Sequence, residues 1–205
     1  MKLPAELYAF SNPAQMAKHF PILPFSHIQR IAMNNRRLQN LPASRQAELR
    51  LMFPWLKHVH EAERPTDVQV LSVSVFDHWL SREEACEFLE NVSSIEQARR
   101  NALHADFCAL LVASTPVLSF VFLRRKHDRL VFREFLSKEA LSRYCMPNGG
   151  RTLKHRHFYV ALPELDCVFY ESWDDTNHFF FTNPRAMNSI TSWAQKSGLH
   201  VLNHG

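Results

Sequence analysis

The sequence predicts an α+β fold: a mostly antiparallel sheet from the C-terminal half, covered by N-terminal helices and a C-terminal helix. Three observations carry that expectation. Apolar residues at helical spacing, opened by capping signals, run through the first half. After residue 106 the pattern changes to short apolar runs joined by links of hairpin length, which favours antiparallel pairing. Ten of the 16 phenylalanines stand at or after Phe107, which places the main core in the strand-rich half. Layer packing then puts the helices of the first half on one face of the sheet, with the last helix on the same face. One domain is expected over 1–205, with 1–66 a helical N-terminal segment and 67–205 the strand-rich core.

Residues 1–66 hold seven of the 11 prolines. Asn12-Pro13 spells an N-cap with proline at the first helical position, opening a helix to about His19. Ser26 with Gln29 is a capping box ahead of Ile28, Ile31 and Ala32. Leu49, Met52 and Phe53 share a helical face that Pro54 interrupts, and Trp55, Leu56 and Val59 continue on a kinked second turn. A strand follows over 68–75. Its alternation slips between Val70 and Leu71, which predicts a bulge. Ser81 with Glu84 opens a helix to about Asn91. Ser94 opens another, with Ile95, Ala98, Ala102 and Ala105 on its inward face.

Candidate strands then cover 107–113, 117–123, 129–135, 157–162, 167–173 and 178–182, interrupted by a helix over 137–144. The uncharged run 107–123 is short for a membrane span and carries Ser114, Thr115 and Pro116 near its middle, so it reads as two buried strands. Asn183-Pro184 caps a final helix with Ala186, Ile190, Trp193 and Ala194 inward, and Gly198 stops it.

Composition removes several function classes. With four glycines, at 149, 150, 198 and 205, the chain cannot spell a P-loop, a dinucleotide fingerprint, a kinase glycine loop or a G-x-S-x-G elbow. Cys86, Cys108, Cys145 and Cys167 form no C-x-x-C pair and read as reduced, apolar-like thiols of a cytoplasmic protein. No secretory signal and no membrane insertion are expected.

The charge is blocky. Residues 107–160 carry ten Lys/Arg against three Asp/Glu, whereas 67–106 carry three against eight. Arg124, Arg125, Lys126 and Arg129 occupy one expected hairpin link, and Arg151, Lys154 and Arg156 a second loop around Gly149-Gly150. If both loops meet at one end of the sheet, the seven cations form a positive patch that draws an acidic partner.

The histidines offer two other chemistries. His58-x-His60 and His155-x-His157 would each put two imidazoles on one face of a strand, a partial metal site. His127, His178, Asp174 or Asp175 would have to complete it, and no spacing selects among them. His157 and His178 would pair for acid–base phosphoester chemistry, but the phosphate-binding Ser or Thr expected two residues on is Tyr159 and Phe180. Arg36-Arg37 and Arg99-Arg100 read as solvated helix charges, and Trp55, Trp79, Trp173 and Trp193 as core or interface residues.

The resulting expectation is a small interaction or regulatory protein. It binds an acidic protein surface through its basic loops, without catalytic residues, cofactor or metal. Nucleic-acid binding by the same patch is the alternative, and a His-dependent hydrolase or nuclease the second.

Overall fold

The computed structural model describes residues 37–61, 63, 65–123, 129–147, 158–172 and 174–204. In chain order the elements are β1 (Leu38–Asn40), α1 (Ala43–Met52), α2 (Leu56–His60), β2 (Gln69–Ser74), α3 (Arg82–Leu89) and α4 (Ser94–Ser114). Then come β3 (Leu118–Leu123), β4 (Arg129–Phe135), α5 (Lys138–Cys145), β5 (Tyr159–Leu162), β6 (Cys167–Tyr170), β7 (Thr176–Phe181), α6 (Pro184–Ser197) and β8 (His200–Asn203). The eight strands form one sheet in the order β1-β4-β3-β5-β6-β7-β2-β8. Every neighbouring pair is antiparallel, so the α+β class holds. The expected helices at 12–19 and 26–32 lie outside the described residues.

Local chemistry sets most boundaries. Ser81 and Glu84 form the reciprocal capping box of α3. Ser93 and Ser137 cap α4 and α5 by accepting from the third backbone N–H of each helix. Asn183 caps α6 ahead of Pro184, and Gly198 closes it at φ 74°, a left-handed conformation that glycine adopts without strain. The β3–β4 hairpin runs from Ser119↔Arg133 to Leu123↔Arg129.

The two sheet faces carry separate cores. On the first, Leu71, Val73, Val160, Leu162, Phe169, Phe179 and Phe181 pack under α4, α5 and α6. Phe107 of α4 anchors this side, edge-on to Phe169, Phe179 and Trp193. On the second face, Phe120, Phe132, Ala161 and Val168 meet Leu49, Phe53, Trp55, Leu56 and Val59 around α1 and α2. Alternation along β5 and β6 feeds both cores, Val160 and Phe169 to one and Ala161 and Val168 to the other. The helices therefore cover both faces, and the expectation of a single covered face is corrected.

Three further expectations change. Residues 107–113 are the last turns of α4, not a strand. The buried positions 97, 100, 101, 104, 107, 108 and 111 keep one helical repeat through the apolar run. The helix ends at Thr115, which Pro116 forces into extended geometry.

The inward face of α4 is also inverted. Ile95 is 82% exposed and Ala98 and Ala102 face solvent, while Gln97, Arg100, Asn101 and His104 are buried. Arg100 is thus no solvated helix charge. Finally, β2 pairs one-to-one with β7 from Gln69↔Phe181 to Ser74↔Thr176, so no bulge exists. The apparent slip arises because Val70 shares its face with the buried polar Ser72 and Ser74.

Candidate functional site

Of the seven cations expected to bind a partner, Arg124, Arg125, Lys126, Arg151, Lys154 and Arg156 lie outside the described residues. Arg129 is described. It opens β4, exposed, opposite Leu123. Two cations from the helices of the second face join it, and sequence reasoning had singled out neither: Arg50 of α1 and Lys57 of α2.

The α1–α2 corner explains how they meet. Pro54 lacks an amide hydrogen and breaks the helix, which turns Phe53 into the core beside Phe132, with ring centroids 5.9 Å apart. Two turns earlier, the Gln46 amide substitutes for a strand where β1 has ended. Its Nε2 donates to the Phe132 carbonyl at 2.6 Å, and its Oε1 accepts from the Phe132 N–H at 2.9 Å. Arg50, four residues on, donates from Nη1 to the Leu130 carbonyl at 3.0 Å. These contacts lay α1 along the edge of β4.

Between the corner and the hairpin lies a groove of about 340 Å³. Its lining joins three cations, Arg50, Lys57 and Arg129, to four apolar residues, Phe53, Pro54, Phe122 and Leu130. Such a volume suits one or two side chains of a partner or a small ligand. Arg50 is pre-positioned because its stem is half-buried and one nitrogen is already held. Lys57 is exposed and pairs loosely with Glu61 at 3.7 Å. The His60 ring stacks on Phe122 at 4.2 Å and 20°, which takes one face of that phenylalanine.

A second polar constellation is internal. Arg100, 5% exposed, donates to Asp175 at 3.0 Å, to Glu96 at 2.8 Å and to the Phe88 carbonyl at 2.9 Å, and lies over the Phe76 ring. Hydrogen bonds from Arg99 and then Arg100 hold the Glu96 carboxyl down at about 2. His104 meets Asn177 at 3.2 Å, and burial pushes its pKa down. Glu171 accepts from the Phe158 N–H at 3.0 Å, and burial pushes it up to about 8. Asp174 is likewise raised by burial. These contacts fasten α3, α4 and the β6–β7 turn to one another, and Asp175 holds that turn at φ 56°.

The histidine expectations resolve differently. His58 and His60 sit on helix α2, where residues two apart do not share a face, so the strand argument for that pair fails. His58 pairs with Glu63 at 2.7 Å. With Glu61, these residues bring three ligand-capable atoms within 4.8 Å of one another, all exposed. His127, His155 and His157 lie outside the described residues. His178 sits 2.7 Å from Ser72 Oγ, and His204 approaches the same oxygen at 2.7 Å. Desolvation pushes His178 down to about 4, so its ring is neutral at pH 7, and the Ser72 hydroxyl sits between the two imidazoles. Burial raises the thiols of Cys108, Cys145 and Cys167, leaving them protonated, and Cys86 is exposed. Trp55 and Trp193 are core residues, and Trp79 is partly exposed with its indole N–H on the Asn203 carbonyl.

No described helix is long and apolar enough to cross a membrane. Comparison of the chain with protein-family models, curated proteins and solved structures finds no match.

Proposed function

We propose that the chain is a cytoplasmic interaction protein that docks an acidic protein surface at the end of the β3–β4 hairpin. The observation that carries this reading is the convergence of Arg50, Lys57 and Arg129, from three separate elements, on one partly apolar groove. Covalent connection adds weight: Arg124, Arg125 and Lys126 stand within five residues of Arg129, in the most basic block of the sequence. Clustered cations steer an anionic partner and fix its register. An acidic protein is favoured over a nucleic acid because four of the seven lining residues, Phe53, Pro54, Phe122 and Leu130, are apolar and give a phosphate backbone nothing to bond.

The test is fluorescence anisotropy of the full chain with labelled poly-glutamate, a single-stranded oligonucleotide and a duplex, over about 50–200 mM salt. The expected result is binding of poly-glutamate that the variant Lys57→Glu/Arg129→Glu abolishes. Both positions are exposed, so this variant is expected to keep its stability within about 0.5 kcal/mol for each site. The variant Arg124→Glu/Arg125→Glu/Lys126→Glu separates the contribution of the link from that of the groove. Preference for an oligonucleotide, with a steep salt slope, would replace this reading with nucleic-acid binding.

A further inference from the structure

We infer that the groove recognises a short two-part signal in its partner: an acidic side chain followed closely by a large aliphatic or aromatic one. This rests on the acidic-partner reading and specifies what that partner presents. A purely electrostatic patch needs no concavity and no apolar floor. Here the cations are three of seven lining residues, and the others are phenylalanine, proline and leucine side chains.

The geometry divides the work. Arg50 has one guanidinium nitrogen committed to the Leu130 carbonyl, which fixes the plane of the group and leaves its other N–H donors for a carboxylate. Lys57 and Arg129, both exposed, close on the same anion from the other two elements. Lys57 is available because its pairing with Glu61 is long and solvent-exposed, and such pairs are weak. Beside the cations, Pro54 is exposed and Phe122 half-buried, so apolar area is open to a partner side chain.

The volume of about 340 Å³ matches one anchor side chain and its neighbouring carboxylate rather than an extended surface. A nucleobase fits less well. Stacking needs an open aromatic face, and of the two lining aromatics Phe53 is buried and Phe122 already has one face taken by His60. An acidic peptide carrying an apolar anchor satisfies both halves of the groove at once.

The experiment is selection of a displayed library of random dodecamer peptides on the full chain, with counter-selection on the Lys57→Glu/Arg129→Glu variant. The expected outcome is enrichment of Asp or Glu within three residues of Phe, Leu, Ile or Met. In a synthetic version of the winning peptide, alanine at the apolar position weakens binding about tenfold or more, as loss of a buried anchor does. Changing its acidic residue to the amide has a similar effect. Enrichment of acidic peptides in which the apolar position tolerates alanine overturns this inference and leaves the acidic-partner reading standing. Enrichment without acidic residues, or no enrichment beside tight oligonucleotide binding, overturns both. Circular dichroism of the variant, expected to match the native chain, separates lost recognition from lost folding.

Discussion

Replacing Arg100 by leucine removes the centre of the internal polar constellation. Its guanidinium serves three acceptors, and their fates differ. Glu96 is partly exposed and keeps two hydrogen bonds from Arg99, so it loses little. The Phe88 carbonyl loses a charge-assisted donor. Asp175 loses most, because its carboxylate is as buried as Arg100 itself. Stranding one member of a buried pair costs about 3–5 kcal/mol, which is the expected destabilisation of Arg100→Leu. Urea unfolding followed through the fluorescence of buried Trp55 and Trp193 measures it.

A second substitution tests the cause. Asp175 sits at φ 56°, which asparagine tolerates, so Asp175→Asn removes the charge without backbone strain. Added to Arg100→Leu, it is expected to restore part of the lost stability, because the unpaired charge is the main penalty. If Arg100→Leu costs less than about 1 kcal/mol, the pair is not the tie that its burial indicates. If Asp175→Asn is as harmful in the variant as in the native chain, the stranded-charge argument fails.

Gln46→Ala is expected to destabilise by about 1–3 kcal/mol, since it leaves the Phe132 N–H without its acceptor and the Phe132 carbonyl with only the longer bond from the Leu41 N–H at 3.3 Å; a loss within error in the same urea assay would show that this edge is satisfied otherwise. Glu171 gives a pH signature. Its carboxyl is raised to about 8 in the fold, against about 4.3 in the unfolded chain, so the native state holds the extra proton between those values. Its contribution is full at acidic pH and is lost as pH rises toward 8. Glu171→Gln should therefore melt progressively higher than the native chain as pH climbs from about 5 to 8; parallel melting curves would refute the assignment.

What the sequence made legible was what local chemistry decides. The caps Ser81 and Asn183, the stop at Gly198 and the β3–β4 hairpin all stand in the structure. Elements that depend on distant partners were misread. The inward face of α4 was assigned to Ile95 and its alanines because polarity usually marks solvent. Here Asp175 and Asn177 supply partners that make Arg100 and His104 buriable. β1 and β8 escaped notice because strands of three and four residues barely establish an alternation. In the groove, Arg129 was legible from its basic cluster. Arg50 and Lys57 were not, since a basic residue on a helix has no mark of its own. The one available signal was Gln46 and Arg50 a turn apart, interleaved with the apolar Leu49 and Phe53.

The position of β2 has a consequence for how the chain is made. It lies between β7 and β8, strands that follow it by about a hundred residues or more. At roughly 5–20 residues per second, β2 waits about 5–20 s on the ribosome before β7 has even been synthesised. Through that interval Leu71 and Val73 have no strand beside them, and of the helices that cover their face α6 has yet to be made. The meander β5–β6–β7 can form from neighbours, but β8 has no docking edge until β2 has inserted. Docking of β8 therefore waits on insertion of β2, and a nascent chain halted before β7 exposes an uncapped strand that other chains can pair with.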